Sequence, residues 1–266
     1  MNFIHISIFF EHFKDINQFF GGNLMLAVII EEKVDTISEY LGVDSCSDLP
    51  LITETFCSYQ LSELKNIGVT DFIFLGKKNN DNTEKINCID SIQELKSILK
   101  DNDDNNIIIT ASNIFFQFKR KKIDLSILDS AVVSFTGDSG EVCAVHLNKE
   151  MFFKLLCLAN DIKDLWKKIL LNQGTGLKCA DYSLVVENPI DYKNLLNIIL
   201  QGKVDLRLPR VAMGVFAVSE IPKGDFVIVP PVFFGENVQI ESDCVIGPYT
   251  VILDNCLVSK NSYVKS

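Results

Sequence analysis

Hydrophobic and polar positions fall into two regimes along this chain. In the first, short unbroken apolar runs alternate with longer stretches whose apolar residues recur at three and four. Leu26–Ile30, Asp71–Leu75 and Ile107–Thr110 are too short for helices and hold almost no polar residue, which predicts parallel strands covered on both faces. Between them, Leu61, Leu64 and Ile67 predict a helix running from Phe56 and stopped by Gly68. Ile92, Leu95, Ile98 and Leu99 predict another, opened by Ser91 as its N-cap. Lys77–Glu84 and Asp101–Asn106 are polar turns. Ala131–Phe135 and Val142–Leu147 read as strands joined in a hairpin by Thr136–Gly140. Helices are expected over Lys149–Leu158, Ile162–Leu171 and Ile190–Leu200, with Trp166 packed among Ile162, Leu165 and Ile169. Strands alternating with helices over this length predict an α/β domain with a mostly parallel sheet and helices on both faces.

The second regime begins near residue 226. Apolar residues recur at every sixth position, at Ile228, Phe234, Ile240, Ile246, Ile252, Val258 and Val264. Four places after each stands a small or β-branched residue: Val232, Val238, Cys244, Thr250, Cys256 and Ser262. Such hexads are expected of a short left-handed parallel β-helix, the large residue pointing inward and the small one fitting a corner. At about eighteen residues per coil this gives about two coils, fewer than repeat structures usually need alone. The coil is therefore expected to lean on something upstream or on another chain, with Ile246, Ile252 and Val258 as the coil residues expected to serve an assembly.

Residues 1–24 precede these regimes. They form an apolar run interrupted by Glu11, His12, Lys14 and Asp15, too short for a membrane span and without the marks of a signal peptide. Two readings stay open: a true start at Met25, or an appended amphipathic helix. The expected domains are thus an extension over 1–24, an α/β domain over 25–207 and hexapeptide coils over 208–266.

Composition narrows the function classes. A net charge of −10 argues against a nucleic-acid surface, and 47% hydrophobic with 23% charged residues is ordinary for a globular chain. The eight cysteines are scattered, without paired metal-ligand spacing, and read as reduced thiols in a cytoplasmic protein. Cys244 and Cys256 fall at coil corners and read as packing residues. Of three histidines, His5, His12 and His146, none lies in the coil.

An α/β domain leading into hexapeptide coils resembles the sugar-1-phosphate nucleotidylyltransferases, mannose-1-phosphate guanylyltransferase-like members in particular. Ala27-Val-Ile-Ile30 resembles the opening strand of their AVILAGG motif. Pro50-Leu-Ile with Tyr59-Gln-Leu-Ser-Glu-Leu-Lys-Asn-Ile-Gly68 is similar to LPV…EYQLEALKKAG, and Tyr182–Tyr192 to GYWxDIGTPEDY. The resemblance implies a Rossmann-like nucleotidyltransferase domain in which a sugar phosphate attacks a nucleoside triphosphate with help from Mg²⁺. Where the family's GGxGTR loop cradles phosphate, this chain reads Glu31-Glu32-Lys33-Val34-Asp35-Thr36-Ile37. Carboxylates and bulky side chains replace the glycines, Ile37 replaces the arginine, and Lys33 is the one cation, expected to pair with a neighbouring Glu or Asp. The two metal-binding aspartates align with Asn113 and Val185, and an expected lysine with Cys46. The chain between Phe135 and Val142 is too short for the family's sugar-reading strand.

The resemblance therefore implies a degenerate relative, a regulatory or structural subunit in sugar-nucleotide metabolism. No cofactor is expected, or Mg²⁺ if the chain is active. The expected partners are a second copy or an active paralogue, with a nucleotide or sugar nucleotide as the candidate ligand and neither nucleic acid nor membrane. One alternative is a divergent active nucleotidylyltransferase using other carboxylates such as Asp181 or Asp191, although Asp191 is expected to serve its helix. Another is a hexapeptide acyltransferase, which would want a coil-borne histidine as base. His146 is expected to be a satisfied structural residue.

Overall fold

The computed structural model describes residues 25–76, 86–101, 105–118, 132–138, 140–172 and 174–265. The extension over 1–24, with His5 and His12, and the Lys77–Glu84 stretch lie outside the described residues. Two compact units emerge: one holds the described residues up to Ser47 together with Cys57–Val185, and the other holds Asp48–Phe56 with Val186–Ser266.

The first unit is built on a seven-stranded sheet. Its strands are β1 (Met25–Ile30), β2 (Asp71–Leu75), β3 (Asn87–Ile89), β4 (Asn106–Ala111), β6 (Val132–Thr136), β7 (Val142–Asn148) and β8 (Thr175–Lys178), in the order β3-β2-β1-β4-β7-β6-β8. All pairings are parallel except those of β7, which runs antiparallel to β4 and β6. This is the mostly parallel α/β sheet that the alternating pattern predicts. Every residue of β1 is buried, as expected of a central strand covered on both faces. A second ribbon pairs β5 (Ile114–Phe118) with β9 (Ala180–Val185) in antiparallel register.

The helices are α1 (Asp35–Leu41), α2 (Phe56–Asn66), α3 (Ile92–Asp101), α4 (Lys149–Leu158) and α5 (Ile162–Leu171). The Ser91 hydroxyl accepts from the Glu94 amide and opens α3, the cap its sequence predicts. Gly68, at φ +96°, stops the chain after α2. Leu165, Trp166 and Ile169 turn the apolar stripe of α5 into the core.

The second unit contains α6 (Pro189–Leu200), capped by Asn188, whose side chain accepts from the Ile190 and Asp191 amides. The Tyr192 hydroxyl donates to the Pro50 carbonyl, tying α6 to the Asp48–Phe56 segment. The compact units divide at Val185/Val186, so α6 belongs to the unit that holds the hexads.

From Phe226 onward the strands are two or three residues long. They form β12 (Phe226–Ile228), β13 (Val232–Phe234), β14 (Gln239–Ile240), β15 (Cys244–Ile246), β16 (Thr250–Ile252), β17 (Leu257–Val258) and β18 (Tyr263–Val264), after β10 (Arg210–Ala212) and β11 (Val215–Ala217). Each hexad strand pairs in parallel with the one eighteen residues on, in three stacks: β12-β15-β18, β13-β16 and β14-β17. Phe234, Ile240, Ile246 and Ile252 are buried, as are Val232, Cys244 and Thr250 of the second register. Ile228, Val258 and Val264 are partly buried against the same cluster.

Candidate functional site

In an open α/β sheet a ligand crevice forms at the carboxyl ends of the strands where the strand order reverses. Here the chain runs from β1 outward to β2 and β3, then returns to place β4 on the other side of β1. The crevice between the ends of β1 and β4 is that point. The loop after β1 (31–34) and the turn after β4 (112–113) form its two lips.

The loop lip uses its backbone donors internally. The Glu31 amide donates to the Leu75 carbonyl at 2.9 Å, and the Glu32 amide to the Ser112 hydroxyl oxygen at 2.9 Å. The Ile37 amide, at the start of α1, donates to the Val34 carbonyl at 2.9 Å. Glu31 folds over the end of β2, where a methyl group at Gly76 would overlap the Glu31 Cβ and carboxylate. A phosphate cradle needs free amides and room for close approach, and here the Glu31 and Glu32 amides are already engaged.

The other lip is equally fixed. The Ser112 amide donates to the Ile30 carbonyl at 2.8 Å, joining the ends of β4 and β1. The Gln60 side-chain amide of α2 donates to the carbonyls of Ala111 and Ile114, at 2.9 and 2.7 Å, and so braces the turn that carries Ser112 and Asn113. Gln60 and Ser112 were not singled out in the sequence as site residues. Gln60 lies in the Tyr59–Gly68 stretch, but its role depends on a turn fifty residues away, which spacing does not reveal.

Asn113 and Val185, the positions aligned with metal ligands, are brought together. Val185 is the register partner of Ile114, the residue after Asn113, so both stand at one end of the β5/β9 ribbon. Asn113 is buried and Val185 half-buried. Mg²⁺ wants carboxylate and water oxygens in octahedral array, and a neutral amide beside an aliphatic side chain does not supply them. The residues at this point do not fit that ion. Among the described residues no group of three or more His, Cys, Asp or Glu could hold a metal.

Charge in the crevice is negative at the loop and positive on its flank. Burial pushes the Glu32 carboxyl above its ordinary range, against the opposing pull of Lys163 and Lys167 on α5. Lys33 is exposed, and among the described residues no ion pair to it is found, contrary to the expected pairing with a neighbour. The reason is geometric: Glu31 lies on Gly76 and Glu32 within reach of α5. Asp35 is exposed in the first turn of α1, whereas Ile37 is fully buried. Cys46 is buried nearby, its thiol pushed up to about 11 by desolvation, with Glu32 and Glu31 adding to the rise and the Val34 amide opposing it. It is therefore a packing thiol with little nucleophilic character.

Candidates outside the crevice are accounted for structurally. The Asp191 carboxylate accepts from the Glu187 amide and from Asn188 Nδ2, a reciprocal cap at the start of α6. His146 is fully buried on β7. Its Nε2 is 3.0 Å from Asn106 Oδ1 while Nδ1 has no partner, so it is half satisfied rather than fully. Of the hexad residues, Ile246 and Ile252 are buried and Val258 is half-buried.

No family model matches this chain, and no curated protein does. A solved structure described as the Mycobacterium tuberculosis rv0371c homolog from Mycobacterium sp. strain JC1 is 16% identical, with a TM-score of 0.45 over 66% of this chain and 97% of that one. A likeness of that size says nothing of the chemistry of this chain.

Proposed function

We propose that this protein is a nucleotidylyltransferase-like chain without catalytic capacity, acting as a regulatory or structural subunit in sugar-nucleotide metabolism. The observation that carries the reading is the crevice at the ends of β1 and β4. The Glu31 and Glu32 amides are spent on Leu75 and Ser112, and the two positions aligned with metal ligands hold Asn113 and Val185. The hexad region supports the subunit half of the reading. Three parallel stacks with an eighteen-residue offset are what a β-helix of triangular coils requires, and we read residues 226–265 as such a coil. Its outer surface exposes Val227, Leu257 and Tyr263, which suits association with a second copy.

The test is Mg²⁺-dependent pyrophosphate exchange with common nucleoside triphosphates and sugar phosphates. The expected rate is that of the protein-free control. Exchange above that control, abolished by Asn113→Ala, would overturn the reading.

A further inference from the structure

All three residues of β10 are exposed, and the strand stands at the open end of the order β10-β11-β13-β16. Its pairing, antiparallel to β11, shifts register between Arg210 and Ala212 and leaves Val211 without a register partner. The hairpin turns at Met213 and Gly214, where Gly214 takes φ +69°. Met213 at this tip is 85% exposed, Val211 is 45% exposed, and Val218 beyond β11 is exposed as well. Two arginines flank the apolar tip, Arg207 and Arg210, in a chain whose net charge is −10. Both are exposed, and among the described residues neither guanidinium meets a carboxylate. Arg207 is set by its backbone, with φ +52° and its amide on Asp205 Oδ1. Arg210 Nε donates to the Ala212 carbonyl at 3.2 Å, so the guanidinium lies along its own strand. The next carboxylate along the chain, Glu220, is paired with Lys223 at 3.5 Å.

We propose that this hairpin docks an extended acidic segment of a partner protein, which adds as a strand along the outer edge of β10. Backbone pairing along the edge supplies the part of the binding that any extended chain could make. Carboxylates of the segment meet the Arg207 and Arg210 forks, and its apolar side chains pack on Val211 and Met213, the methionine adapting to their shape. Charge selects the partner, since an edge that carries two unpaired arginines is matched by carboxylates and disfavours a basic segment. A second copy fits this edge less well. Pairing β10 with its own symmetry mate would bring both arginine pairs into one small interface. The carboxylates at the hexad turns are already engaged: Glu241 accepts from the Lys260 amide, Asp243 pairs with Lys260 Nζ, and Asp254 accepts from the Glu236 amide. The docking edge goes beyond the proposed function, and nothing in it depends on the crevice between β1 and β4.

The test uses the full chain and two short fluorescein-labelled peptides of alternating valine and charge, one with glutamates and one with lysines, read by fluorescence anisotropy. The glutamate peptide should bind at least about tenfold more tightly than the lysine peptide, and added salt should weaken it. Arg207→Gln with Arg210→Gln should cut that affinity at least about tenfold, and Met213→Ser should lower it as well. Arg210→Gln alone is the second variant should the double substitution fail to fold, with a loss of the same sign. Methylating alternate peptide amides blocks strand pairing while keeping the charge, and should abolish binding. Equal binding of the two peptides, arginine variants that bind like the native chain, or a methylated peptide that binds as well would overturn the proposal. So would capture by phosphatidylserine vesicles, or self-association, that is lost with the same arginines while the glutamate peptide stays unbound, because the hairpin would then face lipid or a second copy. Pyrophosphate exchange tests the proposed function separately, so the two failures are distinguishable.

Discussion

His146 is fully buried and has one hydrogen bond, from Nε2 to Asn106 Oδ1. With Nε2–H donating, Nδ1 is a bare acceptor in apolar surroundings, and a proton added there would create an unpaired charge. Burial accordingly pushes the His146 pKa down to about 4. The unfolded chain takes up this proton near the ordinary value of 6.5 and the folded chain only near 4. Stability from this residue is therefore full above about pH 6.5, falls as pH drops through the window, and is constant again below about 4. The loss is on the order of 3 kcal/mol across the window. Denaturant unfolding at pH 7, 5.5 and 4 should show that slope in the native chain and a smaller one in His146→Leu. Equal slopes in the two would mean that His146 is not the acid-sensitive group. Its burial could be anticipated from its place in the apolar run Val142–Leu147, whereas its lone partner Asn106 could not, since that contact crosses from β7 to β4. The same limit hid the crevice. Glu31, Glu32 and Asn113 could be picked out by position in the chain, but the clasp between Glu32 and Ser112 joins residues 80 positions apart, and the Lys163 and Lys167 charges that act on Glu32 lie farther still along the chain.

At the scale of elements, periodicity served where a stretch buried one face of a regular element. The helices at 149–158 and 162–171 and the hexad strands follow the pattern closely. It failed for β3, β5, β8 and β9. Asn87–Ile89 and Thr175–Lys178 are edge strands of the large sheet, too short to show a period. Ile114–Phe118 is apolar on both sides because its ribbon is covered on both, which erases the alternation. In the hexad region the turns carry a second signal beside the small residues: Asn237, Asp243, Tyr249, Asn255 and Asn261, again every sixth residue, all have φ between 54° and 62°. Asn and Asp tolerate this left-handed conformation better than other side chains with a Cβ, and four of the five corners use them. Asn255 gives a clean test. Its Oδ1 accepts a 3.2 Å bond from Asn237 that both Asn255→Gly and Asn255→Val remove, so the difference between those variants reads the backbone alone. Valine should be less stable than glycine by about 1–2 kcal/mol in denaturant unfolding. Equal stability would mean that residue 255 leaves the left-handed region without cost.

For the whole molecule, the question is what covers the outer surface of the coil. No helix among the described residues is long and apolar enough to cross a membrane. Parallel register places Val227, Val245 and Tyr263 in one outward column on the β12-β15-β18 stack, with Val227 56% and Tyr263 65% exposed. An aliphatic side chain moved from full exposure to full burial contributes about 1.5–3 kcal/mol, so covering this column against a second copy is a substantial gain for a coil of few rungs. Folding and assembly can be separated by where a charge is placed. Val227→Lys with Tyr263→Lys alters only the outward column and should shift sedimentation toward the monomer, lowering the unfolding midpoint only by what association contributed and less than a charge placed in the interior. Ile246→Asp instead puts a carboxylate where the side chain is fully buried, and the penalty of several kcal/mol should melt the coil and dissociate the assembly together. A native chain that sediments at micromolar concentration as a stable monomer would overturn association through this face. So would an outward-column variant that stays dimeric, because the surface it charges would then lie outside the interface.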